Sequence, residues 1–382
     1  MEIGIKSIYN ANAKRKMKKI YKKLIAVVGV VAGIEAVFRM YPAFGGKVTD
    51  KDRANYRLRC KYLEGKKFIY PDEWKMDGLP ANNKVSSNGT RPKIKLPVYT
   101  PDFSMPEKGK LKFTWFGHSS ILLQVSGKNI LIDPVFFKRF FPIPKMGPKR
   151  FSDNPVKPEE LPHIDIVLIT HDHHDHLEPR TIKNLDHNVD RYIVPIGIEK
   201  HLIKWGIDAR KIKSLSWWES ISIDDRTNVD DYLEFTCTPS RHFSGRRLTG
   251  QNQTEYCSWV IKTSDYKIFD SGDGSIGKHF EKIHDRFGDF DLAFMECGQY
   301  SDKWHYSHMY PEESAEMTGK VGAKAVVPVH WGAFCIADHA WDDSIRRFTN
   351  KADEMGLNVL TPHISESVDI GCMGKYKDDW WI

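Results

Sequence analysis

One stretch of six residues constrains what this chain can fold into more than any other. Residues 171–176 follow the spacing His-x-His-x-Asp-His, and the potential metal ligands in it are His171, His173, Asp175 and His176. The apolar run 164–169 directly before them is typical of a buried strand, so the cluster is predicted to lie on the loop that leaves this strand. The spacing can offer two ligands to each of two neighbouring metal ions. A polar loop with surface histidines is the alternative interpretation.

The ligand types indicate which metal the loop would bind. Imidazole and carboxylate suit zinc or a similar first-row ion, and the absence of cysteine from the loop argues against a closed structural zinc site. The cysteines of the chain are scattered without a C-x-x-C pair, at Cys60, Cys237, Cys257, Cys297, Cys335 and Cys372. We therefore expect buried small apolar side chains, with neither a disulfide framework nor a cysteine metal site.

The position of the charges matters more than the formal net charge of +7. Residues 1–24 contain eight of the 57 lysines and arginines and one of the 50 acidic residues, so the rest of the chain carries 49 of each. Because the rest of the chain has no surplus of basic residues, a nucleic-acid partner is not expected.

The motifs start near residue 111, which predicts three parts: a basic and apolar lead (1–40), an extended arm with at most a short helix (41–110), and a metallo-hydrolase domain (111–382).

The first 40 residues combine a basic lead with an apolar segment. The apolar run 24–34 is shorter than the roughly 20 residues that a full membrane span prefers, and Glu35 interrupts it. An uncleaved signal-anchor, a cleaved signal peptide and an interfacial helix on anionic lipid all remain possible, and an ordinary core helix is the alternative. We predict membrane association through this segment, because lysines beside an apolar helix combine two weak anchors.

Three further positions resemble His171 at the end of the strand at 164–169. His171, His242 and Asp273 each follow a strand-like apolar run, and His330 follows another at 325–329. Side chains at the ends of several strands can converge on one site. Residues 311–321, before the run at 325–329, and residues 342–355, after it, are predicted to be helices.

Counting ligands leads to a two-ion assignment. Asp273 would bridge the ions, and a hydroxide would have room to bridge them as well. Two ions roughly 3.5–4 Å apart lower the pKa of bound water enough for hydrolysis at neutral pH. One ion would be held by His171, His173 and His242, and the other by Asp175, His176 and His330. Asp133, before Pro134, could orient a ligand imidazole or simply form a turn.

The His-x-His-x-Asp-His loop, with Gly272-Asp273 and His330, resembles the metallo-β-lactamase superfamily. Further motifs are similar to the N-acyl-phosphatidylethanolamine-hydrolysing phospholipase D family. They are Phe44-Gly45-Gly46, Trp115-Phe116-Gly117-His118, Met146-Gly147-Pro148-Lys149-Arg150-Phe151, Trp217-Trp218-Glu219, Thr238-Pro239-Ser240-Arg241-His242, His308-Met309-Tyr310-Pro311-Glu312-Glu313 and His330-Trp331-Gly332-Ala333-Phe334. Together they cover about residues 44–365.

The resemblance implies an α+β fold, a four-layer αββα sandwich with a dinuclear zinc site at the edge of its two sheets. It implies a phosphodiesterase that converts a membrane phospholipid to phosphatidic acid and an N-acylethanolamine, and a homo-oligomer is possible. The family's metal ligands fall on His171, His173, Asp175, His176, His242, Asp273 and His330. Asp273 and His308 fall on its catalytic positions, although a histidine such as His308 could also be an ordinary loop residue.

Other functions remain open. A lactonase or phosphodiesterase acting on a soluble phosphorylated metabolite would use the same fold and ligands. A di-iron redox protein is a different class, and His173 favours zinc because redox relatives carry a carboxylate there. A non-catalytic lipid-binding module is a further possibility. The apolar loop 136–141, followed by Pro142, Pro144, Met146 and Pro148, either caps the core or receives an apolar ligand.

Overall fold

The structure is a computed structural model that describes residues 2–79, 89–141, 143, 145–153, 155–223, 232–247, 249–371 and 376–382. Within residues 2–40 it describes the side chains of residues 15–34, 36 and 40. Pro142, Pro144 and Cys372, which the sequence singled out, lie outside the described residues. The helices of the described part are α1 Glu2–Met40, α2 Asp50–Arg57, α3 Pro179–Leu185, α4 Glu199–Lys204, α5 His279–Phe287, α6 Pro311–Val321 and α7 Asp343–Glu354.

The strands form two large sheets and a small hairpin. In chain order they are β1 Leu63–Glu64, β2 Lys67–Phe68, β3 Leu111–Trp115, β4 Ile121–Val125, β5 Lys128–Ile132, β6 Ile164–Leu168, β7 Val189–Pro195, β8 Ile212–Leu215, β9 Ser220–Ser222, β10 Leu233–Pro239, β11 Cys257–Thr263, β12 Lys267–Asp270, β13 Leu292–Glu296, β14 Val326–Val329 and β15 Ser367–Asp369. Within the described residues, one sheet has the order β15-β3-β4-β5-β6-β7-β8 and the other β14-β13-β12-β11-β10-β9.

Both sheets combine an antiparallel part with a parallel part. Strands β3, β4 and β5 pair antiparallel, whereas β6, β7 and β8 run parallel to β5. In the second sheet β10, β11 and β12 pair antiparallel, and β13 and β14 continue parallel to β12. Parallel strands end at the same edge of a sheet, so the loops after β6, β12 and β14 leave from carboxyl edges, where α/β folds place their ligand sites.

Side chains of the seven-stranded sheet alternate between two apolar layers. Leu123 on β4 and Ile130 on β5 point into the core between the sheets, where they belong to the same buried cluster as Phe235 of the other sheet. Their neighbours Leu122 and Leu131 belong to a second cluster with residues of α3 and α4, such as Ile182 and Leu202. Helices α5, α6 and α7 pack together beside β13. The predicted four-layer αββα sandwich is therefore confirmed.

The segment 41–110 packs closely on this sandwich. Tyr56 of α2, Leu63 and Phe68 of the hairpin, and Leu96 are buried in the main apolar cluster. Before α2, Gly45 and Gly46 lie directly against α4. A Cβ on Gly46 would lie 2.0 Å from the carbonyl oxygen of Lys200, and one on Gly45 would lie 2.2 Å from Nδ1 of His201. Gly45 also has a φ of 82°. The glycine pair thus permits the backbone of this segment to touch α4.

Helix α1 exposes its apolar residues. Leu24, Val28 and Val31 are each more than half exposed, and the basic residues from Arg15 to Lys23 are exposed as well. Among the helices that the structure describes, none has both the length and the apolar character needed to cross a bilayer.

Candidate metal centre

The predicted ligands meet at one edge of the sandwich. His171 follows β6 of the seven-stranded sheet, while His242, Asp273 and His330 follow β10, β12 and β14 of the six-stranded sheet. The metal loop continues from His171 through His176, and all of its candidate ligands except the half-buried His173 are buried. The site is therefore assembled from both sheets.

Three imidazoles form the first donor group with Asp273. Nδ1 of His173 lies 2.9 Å from Nε2 of His171 and 3.1 Å from Nε2 of His242. Oδ2 of Asp273 lies 3.7 Å from the His171 nitrogen and 3.9 Å from the His242 nitrogen. Four ligand atoms thus surround one point, at mutual distances that suit coordination of one ion.

The second donor group uses the same Asp273 oxygen. Oδ2 of Asp273 is 3.1 Å from Nε2 of His176 and 3.3 Å from Nε2 of His330. Asp175 completes the group, with its Oδ2 3.4 Å from His330 and 3.8 Å from His176. Oδ1 of Asp273 is buried and has no hydrogen-bond partner in the described part of the chain. A carboxylate that reaches both groups and keeps an unpartnered buried oxygen fits a bridging ligand.

The charges of the site fit divalent ions. Burial, assisted by neighbouring imidazoles, holds the pKa of His171 and His242 well below the ordinary value, so that these rings are neutral ligands. Burial opposes ionisation of Asp175 and Asp273, but the adjacent histidines, His176 first, hold the pKa of both carboxyls well below the usual range. Neutral His171 and His242 and ionised Asp175 and Asp273 are in the protonation states that a first-row divalent ion requires. Against the effect of burial, Asp273 and the other carboxylates raise the pKa of His176 and His330, so these two rings must release a proton when an ion binds.

Hydrogen bonds fix the orientation of the imidazoles. Nδ1 of His176 lies 2.7 Å from Oδ2 of Asp133, and Nδ1 of His242 lies 2.8 Å from the Ser307 carbonyl oxygen. Asp133 also accepts hydrogen bonds from the backbone N–H of Thr170 at 2.9 Å and from its hydroxyl at 2.5 Å. The structure therefore favours the interpretation that Asp133 orients an imidazole. Its hydrogen bond with Nδ1 of His176 leaves Nε2 of that ring facing the donor group.

His118 is a site residue that was not predicted from the sequence. Nε2 of His118 lies 2.9 Å from Oδ2 of Asp175, and the ring is fully buried. Two backbone hydrogen bonds link it to the loop after β14: His118 N–H to the Trp331 carbonyl at 2.7 Å, and His330 N–H to the His118 carbonyl at 2.9 Å. His118 follows β3, so the rule that selected the other strand-end residues could have found it.

Glu296 is the second residue that the sequence analysis missed. It ends β13, and its Oε2 lies 3.0 Å from Nδ1 of His308 and 3.6 Å from Nδ1 of His330. Its other oxygen accepts a hydrogen bond of 3.1 Å from the backbone N–H of Met309. The carboxylate thus connects the predicted catalytic histidine with a predicted metal ligand.

Both donor groups border a cleft of about 480 Å³, the apolar cleft. His308 and His330 line it together with the apolar side chains of Phe140, Phe141 and Ile336. The loop 136–141 caps the core at Phe136, which is buried against Phe116. Its last two phenylalanines line the cleft, and reception of an apolar ligand there stays a prediction. Such an apolar pocket with a few polar groups is the usual form of a small-molecule site.

Comparisons with known proteins agree with this geometry. The family model described as the beta-lactamase superfamily domain matches residues 128–331. The chain belongs to the metallo-β-lactamase superfamily. Membership supports a metal-dependent hydrolase, in agreement with the prediction from the metal loop.

Similar proteins include members of several lineages. An uncharacterised protein of Mycobacterium tuberculosis is 35% identical over 300 residues, which are 77% of this chain and 78% of the relative. An N-acyl-phosphatidylethanolamine-hydrolysing phospholipase D of Caenorhabditis elegans is 30% identical over 269 residues, 68% of this chain and 72% of the relative. Among solved structures, Igni18, a metallo hydrolase of Ignicoccus hospitalis, has a TM-score of 0.51 at 20% identity and covers 68% of this chain and 98% of its own. The structural likeness concerns the fold alone.

Proposed function

We propose that this hydrolase is a zinc-dependent phosphodiesterase of the phospholipase D type. Its substrate would be N-acyl-phosphatidylethanolamine or a related glycerophospholipid. The observation that carries the proposal is that Oδ2 of Asp273 lies within 4 Å of histidines of both donor groups, beside an apolar cleft. The name of the similar C. elegans protein supports a phospholipid substrate.

The residues of the two groups would hold two ions, with Asp273 contributing to both. When bound, such ions lower the pKa of a water molecule and stabilise negative charge on the attacked phosphate. His118 and Asp133 then act through the ligands, because their hydrogen bonds keep the Asp175 carboxylate and the His176 ring in place. The apolar walls exclude bulk water from the phosphodiester.

His308 is the candidate for proton transfer. Glu296 accepts the hydrogen bond from Nδ1–H of His308, which leaves Nε2 as the nitrogen available to the cleft. From this position His308 would bind a phosphate oxygen or donate a proton to the oxygen of the leaving alcohol. The pair thus provides a histidine whose tautomer is set by a buried carboxylate.

Membrane association is part of the proposal. Phe44 lies four residues beyond the end of α1. The centroid of its ring is 6.0 Å from that of Phe141 and 5.6 Å from that of His174, and both of these residues line the apolar cleft. Helix α1 presents exposed apolar residues and, at Arg15–Lys23, exposed basic ones. A helix on the surface of an anionic membrane would therefore bring the cleft close to its lipids.

The function is tested with full-length, zinc-loaded protein on vesicles that contain N-acyl-phosphatidylethanolamine, with products identified by mass spectrometry. We expect phosphatidic acid and an N-acylethanolamine, and loss of at least about 100-fold in turnover for Asp273→Asn, a change that also lowers the bound zinc. Circular dichroism of the variant controls for folding. Hydrolysis of a soluble lactone panel without lipid hydrolysis would instead identify the lactonase, and bound iron with oxygen-dependent turnover would identify the redox protein.

A further inference from the structure

A small polar cavity borders the metal loop at Asp172. It measures about 50 Å³ and shares Gly245 and Arg247 with the apolar cleft. Its walls come from residues 44–48, from His201 of α4 and from the segment between β10 and β11. We call it the arginine pocket, after Arg246 and Arg247. A water molecule needs roughly 10–15 Å³ of such space, so the pocket has room for a few waters or for one small polyatomic ion.

The arginine pocket has an excess of positive charge. Three cationic side chains line it, those of Lys47, Arg246 and Arg247, against the single carboxylate of Asp172. That carboxylate is already engaged, because its Oδ1 accepts a hydrogen bond of 2.7 Å from the backbone N–H of Gly245. The walls therefore favour an anion over a cation.

The hydrogen bonds of Arg246 hold its guanidinium group in place without neutralising it. Nη1 donates to the carbonyl oxygens of Asp172 and Leu177, at 2.6 and 2.8 Å, and Nη2 donates to that of Ala43 at 3.3 Å. The partners are uncharged backbone groups on the metal loop and on the N-terminal segment. A buried cation that is fixed in this way is ready to bind an anion without further ordering.

Three buried polar atoms in the walls lack a partner. They are Nε of Arg246, Nδ1 of His201 and Oγ1 of Thr254, and no hydrogen bond reaches any of them from the described part of the chain. Their side chains belong to residues that are at most 5% exposed. Native proteins leave few buried polar atoms unpaired, so three around one cavity indicate a polar occupant.

The roles of these atoms define the occupant. Nε–H of Arg246 only donates, and the Thr254 hydroxyl can donate as well. Nε2 of His201 lies 3.1 Å from Oδ2 of Asp172 and donates to it, and burial lowers the pKa of the ring, so Nδ1 of the neutral ring accepts. Gly45 leaves Nδ1 uncovered, since a Cβ there would lie only 2.2 Å away. The occupant needs anionic acceptor oxygens and one O–H group.

We propose that the arginine pocket binds the phosphate group of a phosphomonoester or of free phosphate. Such a group offers acceptor oxygens to Arg246 and Thr254 and, when singly ionised, a P–OH to Nδ1 of His201, whereas a phosphodiester has no P–OH. The site goes beyond the proposed function, which concerns a phosphodiester at the metal centre. Phosphatidic acid, the expected product of that reaction, is a phosphomonoester, so the lipid and free phosphate are the two sources to compare.

The test measures binding by titration calorimetry with the full-length, zinc-loaded protein. The ligands are inorganic phosphate, and phosphatidic acid and phosphatidylglycerol in mixed micelles, at about pH 6, where much of a phosphomonoester keeps its P–OH. Zinc also attracts phosphate, so the comparison is with Thr254→Val, which keeps the side-chain shape and every metal ligand. We expect inorganic phosphate to bind the wild type at least about tenfold more tightly, the usual effect of a hydrogen bond to a charged group.

Two further variants support the comparison. Lys47 is exposed, so Lys47→Gln does not disturb the core and should weaken phosphate binding about two- to fivefold. Thr318→Val is the matched control, because Thr318 is a buried threonine of α6 whose hydroxyl donates to the Ser314 carbonyl oxygen. It should bind phosphate like the wild type. Zinc content and circular dichroism exclude a folding defect.

The ligands distinguish the sources. A loss in Thr254→Val for both inorganic phosphate and phosphatidic acid would show that the pocket accepts a lipid headgroup, and a loss for inorganic phosphate alone would assign it to free phosphate. Equal binding in the wild type, Thr254→Val and Lys47→Gln would overturn the inference. An equal loss for phosphatidylglycerol would overturn recognition of the monoester. None of these results depends on turnover, so they remain distinct from failure of the phospholipase D function.

Discussion

Three residues of the metal centre have a strained backbone. His118, Asp133 and His330 have φ angles of 58°, 40° and 68°, in the left-handed region that costs non-glycine residues on the order of 1–3 kcal/mol each. Two backbone hydrogen bonds between the His118 and His330 loops hold two of them in place. The sequence suggested Asp133 and His330 as site residues, but strain and mutual contacts depend on how loops of different sheets meet. The contacts of Glu296 with His308 and His330 were therefore visible only in the structure, whereas the position of His118 after β3 could have been used.

Substitution of Glu296 tests whether it positions His308. Glu296→Gln keeps the side-chain shape but removes the charge that holds Nδ1–H of His308. We expect kcat to fall about 10–100-fold while KM and zinc content change little, since loss of an orienting hydrogen bond has effects of this size. Glu296→Asp, which restores the carboxylate, should recover part of the activity. Equal losses in both variants, together with lost zinc, would indicate a structural role alone.

Glu255 makes stability depend on pH. Burial raises the pKa of its carboxyl to about 8, and the group accepts hydrogen bonds from Ser216 and Cys60. The unfolded chain loses this proton near the ordinary value of 4.5, whereas the folded protein keeps it until about pH 8. The folded state binds more protons in this window, so stability falls as pH rises, with a slope approaching about 1.4 kcal/mol per pH unit.

Glu255→Gln should therefore flatten the curve of unfolding free energy against pH between about 4.5 and 8. Urea unfolding of both proteins at several pH values measures this difference. A slope that persists unchanged in the variant would show that another group is responsible.

Among the helices and strands, the ones predicted from the sequence are those whose apolar residues recur at a clear helical or strand spacing. The expected helix at 311–321 matches α6, Pro311–Val321, and the run 164–169 matches β6, Ile164–Leu168. Strand β15 and helices α3 and α4 were missed. They are three, seven and six residues long, too short for a periodic pattern, and packing on neighbours determines them. The hairpin in segment 41–110 was missed for the same reason.

The glycine pair before α2 gives a prediction about how that segment docks. Gly46→Ala would place a Cβ 2.0 Å from the Lys200 carbonyl oxygen, a backbone atom that cannot move without α4. We expect destabilisation of about 1–3 kcal/mol, as for other overpacked sites. KM for vesicle lipid should also rise, because Phe44 adjoins the wall of the apolar cleft. Gly29→Ala on α1, where no atom lies within 4 Å of the new Cβ, is the control and should not destabilise the protein, because alanine favours a helix over glycine by about 1 kcal/mol.

At the scale of the whole molecule, the site requires both sheets and the N-terminal segment. The metal loop belongs to one sheet and His242, Asp273 and His330 to the other, a convergence that the sequence predicted from strand ends alone. The cavity of about 750 Å³ beside His242 could not be predicted in this way. Residues from 61–75 form one side of it, and that side exists only because the apolar residues around it, such as Leu63 and Phe68, are buried in the main core.

Because the ligands come from both sheets, metal should stabilise the entire sandwich. Without an ion, the carboxylates of Asp133, Asp175 and Asp273 repel one another in a buried space that only histidines neutralise. An ion that binds the folded chain alone adds about 4 kcal/mol at a thousandfold excess over Kd, so chelation should lower Tm by about 5–10 °C. Added zinc should restore it, and Asp273→Asn should show a smaller shift because it weakens both donor groups at once. An equal Tm with and without chelator, in protein shown to have lost its metal, would mean that the hydrogen bonds of Asp133, His118 and Glu296 hold the site together on their own.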